Sequence, residues 1–309
     1  MRLESNIKLE SKKKKIFLSF EGVKTEVQYF DQLIQHRSEL NINPNIEIIL
    51  MMRNHTFLGW SNPLKAFKRT KYCIDNLSKN QRNVSSFISS IDEFCFYNTQ
   101  LLSTKDEASS LYDSLVILIK NNFKLDKTNN FNFTHPGSID IKECIITFIN
   151  NKFKIKDLDV FIDSQFIPFN PYRDEVCLIV DRDSRSVSNN QYDTLLKYCG
   201  INKFNLFVSN PCFEFWLLLH FDEIFDIDKA ELLDNKKLLI DGCEIHFCEY
   251  ELKKLLPNFE KNNICFSSLI NRINIAVSNE KYYEESLLTL KTELGSNFGQ
   301  LLTKLFANS

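Results

Sequence analysis

Glycine and proline are scarce in this chain, with 7 of each in 309 residues. So little glycine excludes collagen-like repeats, glycine-rich loops and flexible-linker designs. No Gly-x-x-x-x-Gly-Lys-Ser/Thr sequence occurs, so the chain brings no phosphate-binding loop of that type. Charge of one sign is lacking as well. Lys and Arg number 38 against 40 Asp and Glu, the net charge is −2 and the pI about 6.3. That excludes a bulk polycation. A nucleic-acid partner would have to be met by local patches such as Lys12 to Lys15 and Lys68-Arg69-Thr70-Lys71. The competing reading, a solvated face or a tail, is the one favoured for either patch taken singly.

Long apolar runs are missing too. The longest, Phe213 to Phe221, is about half of what a bilayer crossing needs and contains Glu214 and His220. The N-terminus is polar and lysine-rich, without the apolar core of a signal peptide. These features predict a soluble, cytoplasmic protein with no membrane association. The nine cysteines are odd in number and several sit in apolar runs (Cys73, Cys144, Cys177, Cys212), which fits a reducing compartment rather than a disulfide framework. The segment from Cys243 through His246 to Cys248 has no second ligand pair at zinc spacing, so no structural zinc is expected. What the chain does have is apolar mass: 43% hydrophobic residues and 27 phenylalanines, enough to build one large core or two small ones.

Ile16 to Phe20 is a short apolar run that ends at Glu21-Gly22, the pattern of a buried strand finishing in a turn. Helical spacing follows over Thr25 to Leu40, with Val27, Phe30, Leu33 and Ile34 on one side. Asn45 to Met51 reads as a second strand, and Asn62-Pro63 opens a helix that runs to about Leu77. Residues of about 79 to 172 are less regular. Helices are expected at Glu107 to Asn121 and Ile139 to Lys152, separated by the Asn-rich segment Lys127 to Thr134, and the whole reads as a largely helical insertion. Asp174 to Val180 is a third strand leading into Asp181. A helix around Gln191 to Tyr198 would stop at Gly200, and Phe204 to Val208 is a fourth strand. Pro211 to Phe221 is expected to be helical, and residues 222–309 mostly so.

Strands alternating with helices predict an α/β fold, a parallel sheet flanked by helices on both faces. The expected organisation is a core over residues 12–221, interrupted by the insertion at about 79–172, and a helical C-terminal extension over 222–309 packed on it. In such sheets polar groups at the carboxyl ends of strands gather in one crevice. Here Glu21, the pair Asp181 and Asp183, and Ser209-Asn210 stand at three strand ends, which is the main argument for a site.

In Asp181-Arg182-Asp183 the alternation of an extended chain puts both carboxylates on one side, where they can share a hard cation. Oxygen ligands without a nearby histidine point to Mg²⁺ or Mn²⁺. The competing reading has Asp183 capping the next helix and Asp181 pairing with Arg182 or Arg185. Gly22 lets the backbone approach a phosphate or metal closely. Lys24 and Glu26 add a cation and a further acid to the same loop, although Glu26 also suits the first turn of a helix. Asn210-Pro211 is a good N-cap and first-turn pair. Glu214, an acid inside an apolar helix, either answers the helix dipole or faces the crevice. His220 shares a helical face with Phe213, Trp216 and Leu217, so it is either a hydrogen-bonded core histidine or, with Gly22 and Asn210, a substrate contact.

The combination resembles the RloB family of prokaryotic defence proteins, a branch of the TOPRIM fold. The matching stretches are Phe17-Leu18-Ser19-Phe20-Glu21-Gly22-Val23-Lys24-Thr25-Glu26 with Tyr29-Phe30, Leu178 to Asp183, Ser209 to Phe221, and Leu294-Gly295-Ser296-Asn297-Phe298-Gly299-Gln300-Leu301. The departure is spacing: Glu21 and Asp181 stand 160 positions apart, which marks residues 79–172 as an added element. The resemblance implies a TOPRIM-type Mg²⁺ (or Mn²⁺) site built by Glu21, Asp181 and Asp183, with Lys24, Glu26 and Glu214 nearby. The chemistry would be phosphodiester hydrolysis of DNA or RNA, tRNA included, in which Glu21 is a ligand or a general base. It also implies abortive-infection defence, a neighbouring ATPase of the AAA/ABC type as partner, and a possible homo-oligomer. Asp-x-Asp occurs in phosphatases and glycosyltransferases too. The phosphatase pattern wants the motif near the N-terminus, and nothing upstream supports a sugar-nucleotide pocket. The non-enzyme alternative is a silent TOPRIM adaptor, against which all three acids are present.

Overall fold

A computed structural model of the chain describes residues 13–22, 24–51, 62–78, 81–98, 105–132, 137–153, 155, 158–261, 264 and 266–306. In chain order the first half holds β1 (Lys14–Phe20), α1 (Thr25–Gln35), β2 (Ile46–Met51), α2 (Pro63–Ser78), β3 (Gln81–Asn83), α3 (Val84–Asn98), α4 (Lys105–Phe123), β4 (Asn130–Asn132), α5 (Gly137–Lys152) and α6 (Leu158–Ser164). The second half holds β5 (Glu175–Asp181), α7 (Asn189–Asn202), β6 (Asn205–Asn210), α8 (Phe213–Leu218), α9 (Lys229–Asp234), β7 (Lys237–Ile240) and β8 (Cys243–His246). It ends with α10 (Phe247–Leu255), α11 (Ile273–Glu280), β9 (Gly295–Ser296) and α12 (Phe298–Leu305).

The main sheet has the order β2-β1-β5-β6-β9, with the first four strands parallel and β9 antiparallel on the edge. Both faces are covered, as a parallel sheet requires, because its strands are apolar on both sides. Ile16, Leu18 and Phe20 of β1, with Cys177 and Ile179 of β5, enter one core together with α1, α8 and α12. The alternate residues Phe17, Val176 and Ile49 enter a second core built by the 79–172 segment. Leu178, Val180, Leu206 and Val208 enter a third, against α2 and α7. The segment 79–172, expected to be an insertion, is a layer of the fold: its helices cover part of a sheet face, and Phe17 is buried among them.

Several expectations are corrected in detail. α1 stops at Gln35 instead of Leu40, before Asn41 turns the chain at φ 51°. α7 continues past Gly200 to Asn202, and the left-handed residue that ends it is Lys203. β6 runs on through Asn210, so Asn210 is not the cap of α8. That helix begins at Phe213 with Cys212 as its cap, after a cis Asn210-Pro211 peptide, and it ends at Leu218. The C-terminal region is less helical than expected. β7 and β8 form a hairpin on Asp241-Gly242, both with positive φ, the turn that suits the twist of paired strands. Gly295-Ser296 joins the main sheet as β9. In the Asn-rich segment Asn130–Asn132 pairs with β3, while Thr134 lies outside the described residues. No helix among the described residues is long and apolar enough to cross a membrane.

Candidate metal centre

The carboxyl ends of β1, β5 and β6 come to one edge of the sheet, in register. Phe20 pairs with Ile179, and Asp181 with Ser209. A cleft of about 360 Å³ opens there, lined among others by Gly22, Lys24, Glu26, Asp181, Asp183, Glu214 and Lys261. Three separate pieces of chain thus place acids in one depression: the loop and first turn after β1, the end of β5, and the first turn of α8.

The alternation expected of Asp181-Arg182-Asp183 is what positions the pair. Both aspartates line the cleft, while Arg182 points the other way into the core. Its guanidinium donates to Val187 O (2.8 Å) and Asn189 Oδ1 (2.6 Å) and lies over the Tyr192 ring. Arg185 is committed to Asp234 at 2.7 Å. Neither arginine pairs with Asp181, and among the described residues no ion pair neutralises that carboxylate. Asp183 accepts from Arg185 N (2.9 Å) and so fixes the turn after β5. The helix that follows is capped by Ser188.

Glu21 is buried and extends the β1–β5 ladder, its N–H donating to Ile179 O (2.9 Å). Its carboxylate accepts from Asp181 N at 3.3 Å, so it reaches the base of the pair although it is not among the residues lining the cleft. Glu26 does line it. The Glu26 carboxylate packs against Gly22 so closely that a β-carbon there would overlap its oxygens, which is why a glycine stands at this turn. Burial pushes Glu26 up to about 7, with the charge of Glu214 adding to the shift and backbone hydrogen bonds and Lys261 opposing it. Asp181 is held well above the usual carboxylate range, first by burial and then by the charges of Glu26, Glu21 and Glu214. Carboxylates that raise one another in this way are relieved by a proton or by a cation.

Lys24 is exposed on the rim. Glu214 faces the cleft and pairs with Lys261 at 3.0 Å, so the charge inside the apolar helix has a partner. Lys261 is the residue that sequence reasoning misses. It follows α10, distant in the chain from Glu214 and the other cleft acids, and nothing in its neighbourhood signals a role.

Three expectations move elsewhere. His220 is fully buried outside the cleft, with Nε2 against Tyr29 Oη (3.1 Å) and Nδ1 against Trp216 O (3.2 Å); burial lowers its pKa to about 4. It is the core histidine that its helical face allows, not a substrate contact. Asn210 is also buried outside the cleft and donates to Leu290 O (3.0 Å) and Glu293 O (2.8 Å), holding the C-terminal loop against β6. The two basic patches do not serve the cleft as patches. Lys14 and Lys15 stand at the opposite end of β1, bound to Glu175 and Pro168 O, and Lys12 lies outside the described residues. In the second patch Arg69 and Thr70 are buried: Arg69 donates to Phe20 O (2.5 Å) and Thr70 bonds Ser19 (2.6 Å), which fastens α2 to the strand end that carries Glu21.

The acids around Asp181 offer carboxylate oxygens, the ligands a hard divalent cation prefers, although Cys212 and His246 line the same cleft. Among the described residues no three His, Cys, Asp or Glu side chains are already gathered at metal-holding spacing. A cation would therefore have to draw the carboxylates together. The Cys243–Cys248 segment holds no metal cluster either. Cys243 is exposed, His246 Nδ1 is bonded to Asn235 O, and the buried Cys248 contacts Leu232 O.

The model of one protein family, described as RloB-like protein, matches residues 16–305, nearly the whole chain. A search of curated proteins and a search of solved structures each returned no match.

Proposed function

Since the chain belongs to the RloB-like protein family, we propose that it is a Mg²⁺- or Mn²⁺-dependent nuclease of the TOPRIM type, hydrolysing phosphodiesters of DNA or RNA, tRNA included, as the effector of a prokaryotic antiphage defence. One observation carries the reading. Acids from the first turn of α1, the end of β5 and the first turn of α8 converge on one cleft, where burial and then their charges disfavour the Asp181 carboxylate, an arrangement that a divalent cation relieves.

In this reading Asp181 and Asp183 would hold the cation with Glu21, and Glu26 joins them from the cleft wall. When bound, the ion supplies Lewis-acid activation of the phosphoryl oxygen and of water. The chain's own residues do the rest. Arg182, locked in the core, keeps both aspartates turned to the cleft; Gly22 leaves the space that Glu26 occupies; Lys24 stands on the rim as a cation for a phosphate. With no phosphate-binding loop in the chain, ATP dependence would come from a partner ATPase of the AAA/ABC type.

A second reading, a catalytically silent adaptor built on the same fold, is favoured by the lack of a preassembled ligand cluster among the described residues. Cleavage of a panel of DNA, mRNA and tRNA with Mg²⁺ or Mn²⁺, with and without an ATPase encoded beside it, separates the two. The nuclease reading expects cleavage that EDTA and Asp181→Asn each abolish. Absence of cleavage under every condition, with tight ATPase binding that survives Asp181→Asn, would establish the adaptor instead.

A further inference from the structure

We infer that Lys261 is the built-in counter-ion of the cleft, a positioning residue that holds Glu214 and competes with a divalent cation for the field of the surrounding acids. The inference rests on the metal-site reading above. Lys261 Nζ lies 3.0 Å from Glu214 Oε1 and 3.1 Å from Glu249 Oε2, so it bridges α8 and α10. Its backbone is fixed as well, because Lys261 O accepts from Thr25 Oγ1 at 3.0 Å, and Thr25 is the neighbour of Glu26 at the start of α1. The lysine is thereby anchored on both sides of the cleft mouth.

Its two partners are not equivalent. Glu214 lines the cleft; Glu249 does not, and it is also bonded to Lys253 at 3.0 Å. Of the other cations on the cleft wall, Arg185 is spent on Asp234 and Lys24 is exposed on the rim. Asp234 stands on the cleft wall too, but Lys261 is the cation tied to Glu214, one of the acids whose charge acts on Asp181 and Glu26. It favours the charged form of Asp181 and of Glu26, which Glu214 and the other acids oppose. A doubly charged ion entering among those acids meets Lys261 as a like charge. Glu249 offers the ammonium a place to remain as the acids turn to the ion.

The test is a Mn²⁺ titration by calorimetry on the full chain, comparing wild type, Lys261→Met, Lys261→Arg and Glu249→Gln. Removing one unit charge from beside a doubly charged ion in a largely aqueous cleft tightens binding about 10-fold. Lys261→Met is therefore expected to bind Mn²⁺ more tightly than wild type, and Lys261→Arg to return the affinity to near the wild-type value. Glu249→Gln removes the outer partner, leaves the ammonium to the cleft acids and is expected to weaken Mn²⁺ binding severalfold. A merely structural lysine would not give tighter binding when lost. Wild-type binding that is unchanged or weaker in Lys261→Met, or unchanged in Glu249→Gln should the first variant not fold, would overturn this inference alone. Absence of Mn²⁺ binding by every variant and by wild type would overturn the metal-site reading and the inference with it.

Discussion

Glu280 gives this fold a pH dependence that can be worked out in advance. It ends α11, is 2% exposed, and accepts from Gly299 N at 2.8 Å, with the glycine backbone so close that a β-carbon at 299 would overlap the carboxylate. Its other oxygen is buried without a hydrogen-bond partner. Burial pushes its pKa up from 4.5 to about 8, against the opposing pull of Ser296 and the Gly299 N–H. An acid whose folded pKa is raised stabilises the fold in its protonated form. That contribution is complete below about pH 4.5 and is lost as pH rises through about 8. Between those limits the loss is on the order of 1.4 kcal/mol per pH unit, an upper figure because neighbouring donors and relaxation soften it. Glu280→Gln keeps the shape and cannot ionise. Urea unfolding of wild type and variant between pH 5 and 8 should show the variant gaining on wild type with each unit of pH, by about 2 to 4 kcal/mol over the range. A difference between the two proteins that stays flat from pH 5 to 8 would refute the reasoning.

Two further substitutions probe what positions the site. Asn297→Ala removes a buried side chain that accepts from Val208 N (2.6 Å) and donates to Leu206 O (3.1 Å), leaving two strand groups unpaired. Denaturant titration should show a loss of about 2 to 5 kcal/mol, and a loss below about 0.5 kcal/mol would contradict it. Gly22→Ala puts a methyl group where the Glu26 carboxylate lies, so it should lower Mn²⁺ affinity about 10-fold or more while costing about 1 kcal/mol of stability or less; unchanged affinity would mean that Glu26 is not held by this contact.

Much of this was legible in the sequence where the physics is local. The apolar runs before Glu21 and Asp181 had to be buried strands, and a two-residue period had to send Arg182 away from its flanking aspartates. Asp241-Gly242 between apolar residues is a hairpin signal that the reading of 222–309 as mostly helical passes over. Other elements are decided by distant partners. Asn210 and His220 look equally polar in sequence; one goes to the Leu290 and Glu293 carbonyls and the other to Tyr29, contacts that only the folded chain creates. Gly200 is an ordinary helix stop on paper, yet Lys203 takes the left-handed position three residues later. Lys261 belongs to the same class, since its value comes from Glu214 and Glu249 and not from its own surroundings in the chain.

In the proposed metal site Asp181 is a carboxylate in an unfavourable place, which a bound cation would make favourable. The direct measurement is the melting temperature of wild type and Asp181→Asn, each with EDTA and with excess Mn²⁺. Asp181→Asn should melt higher than wild type in EDTA, because burial and the charges of Glu26, Glu21 and Glu214 disfavour the carboxylate that has been removed, and Mn²⁺ should raise the melting temperature of wild type alone. An Asp181→Asn protein that melts lower than wild type in EDTA, and that Mn²⁺ stabilises as much as it does wild type, would contradict the account.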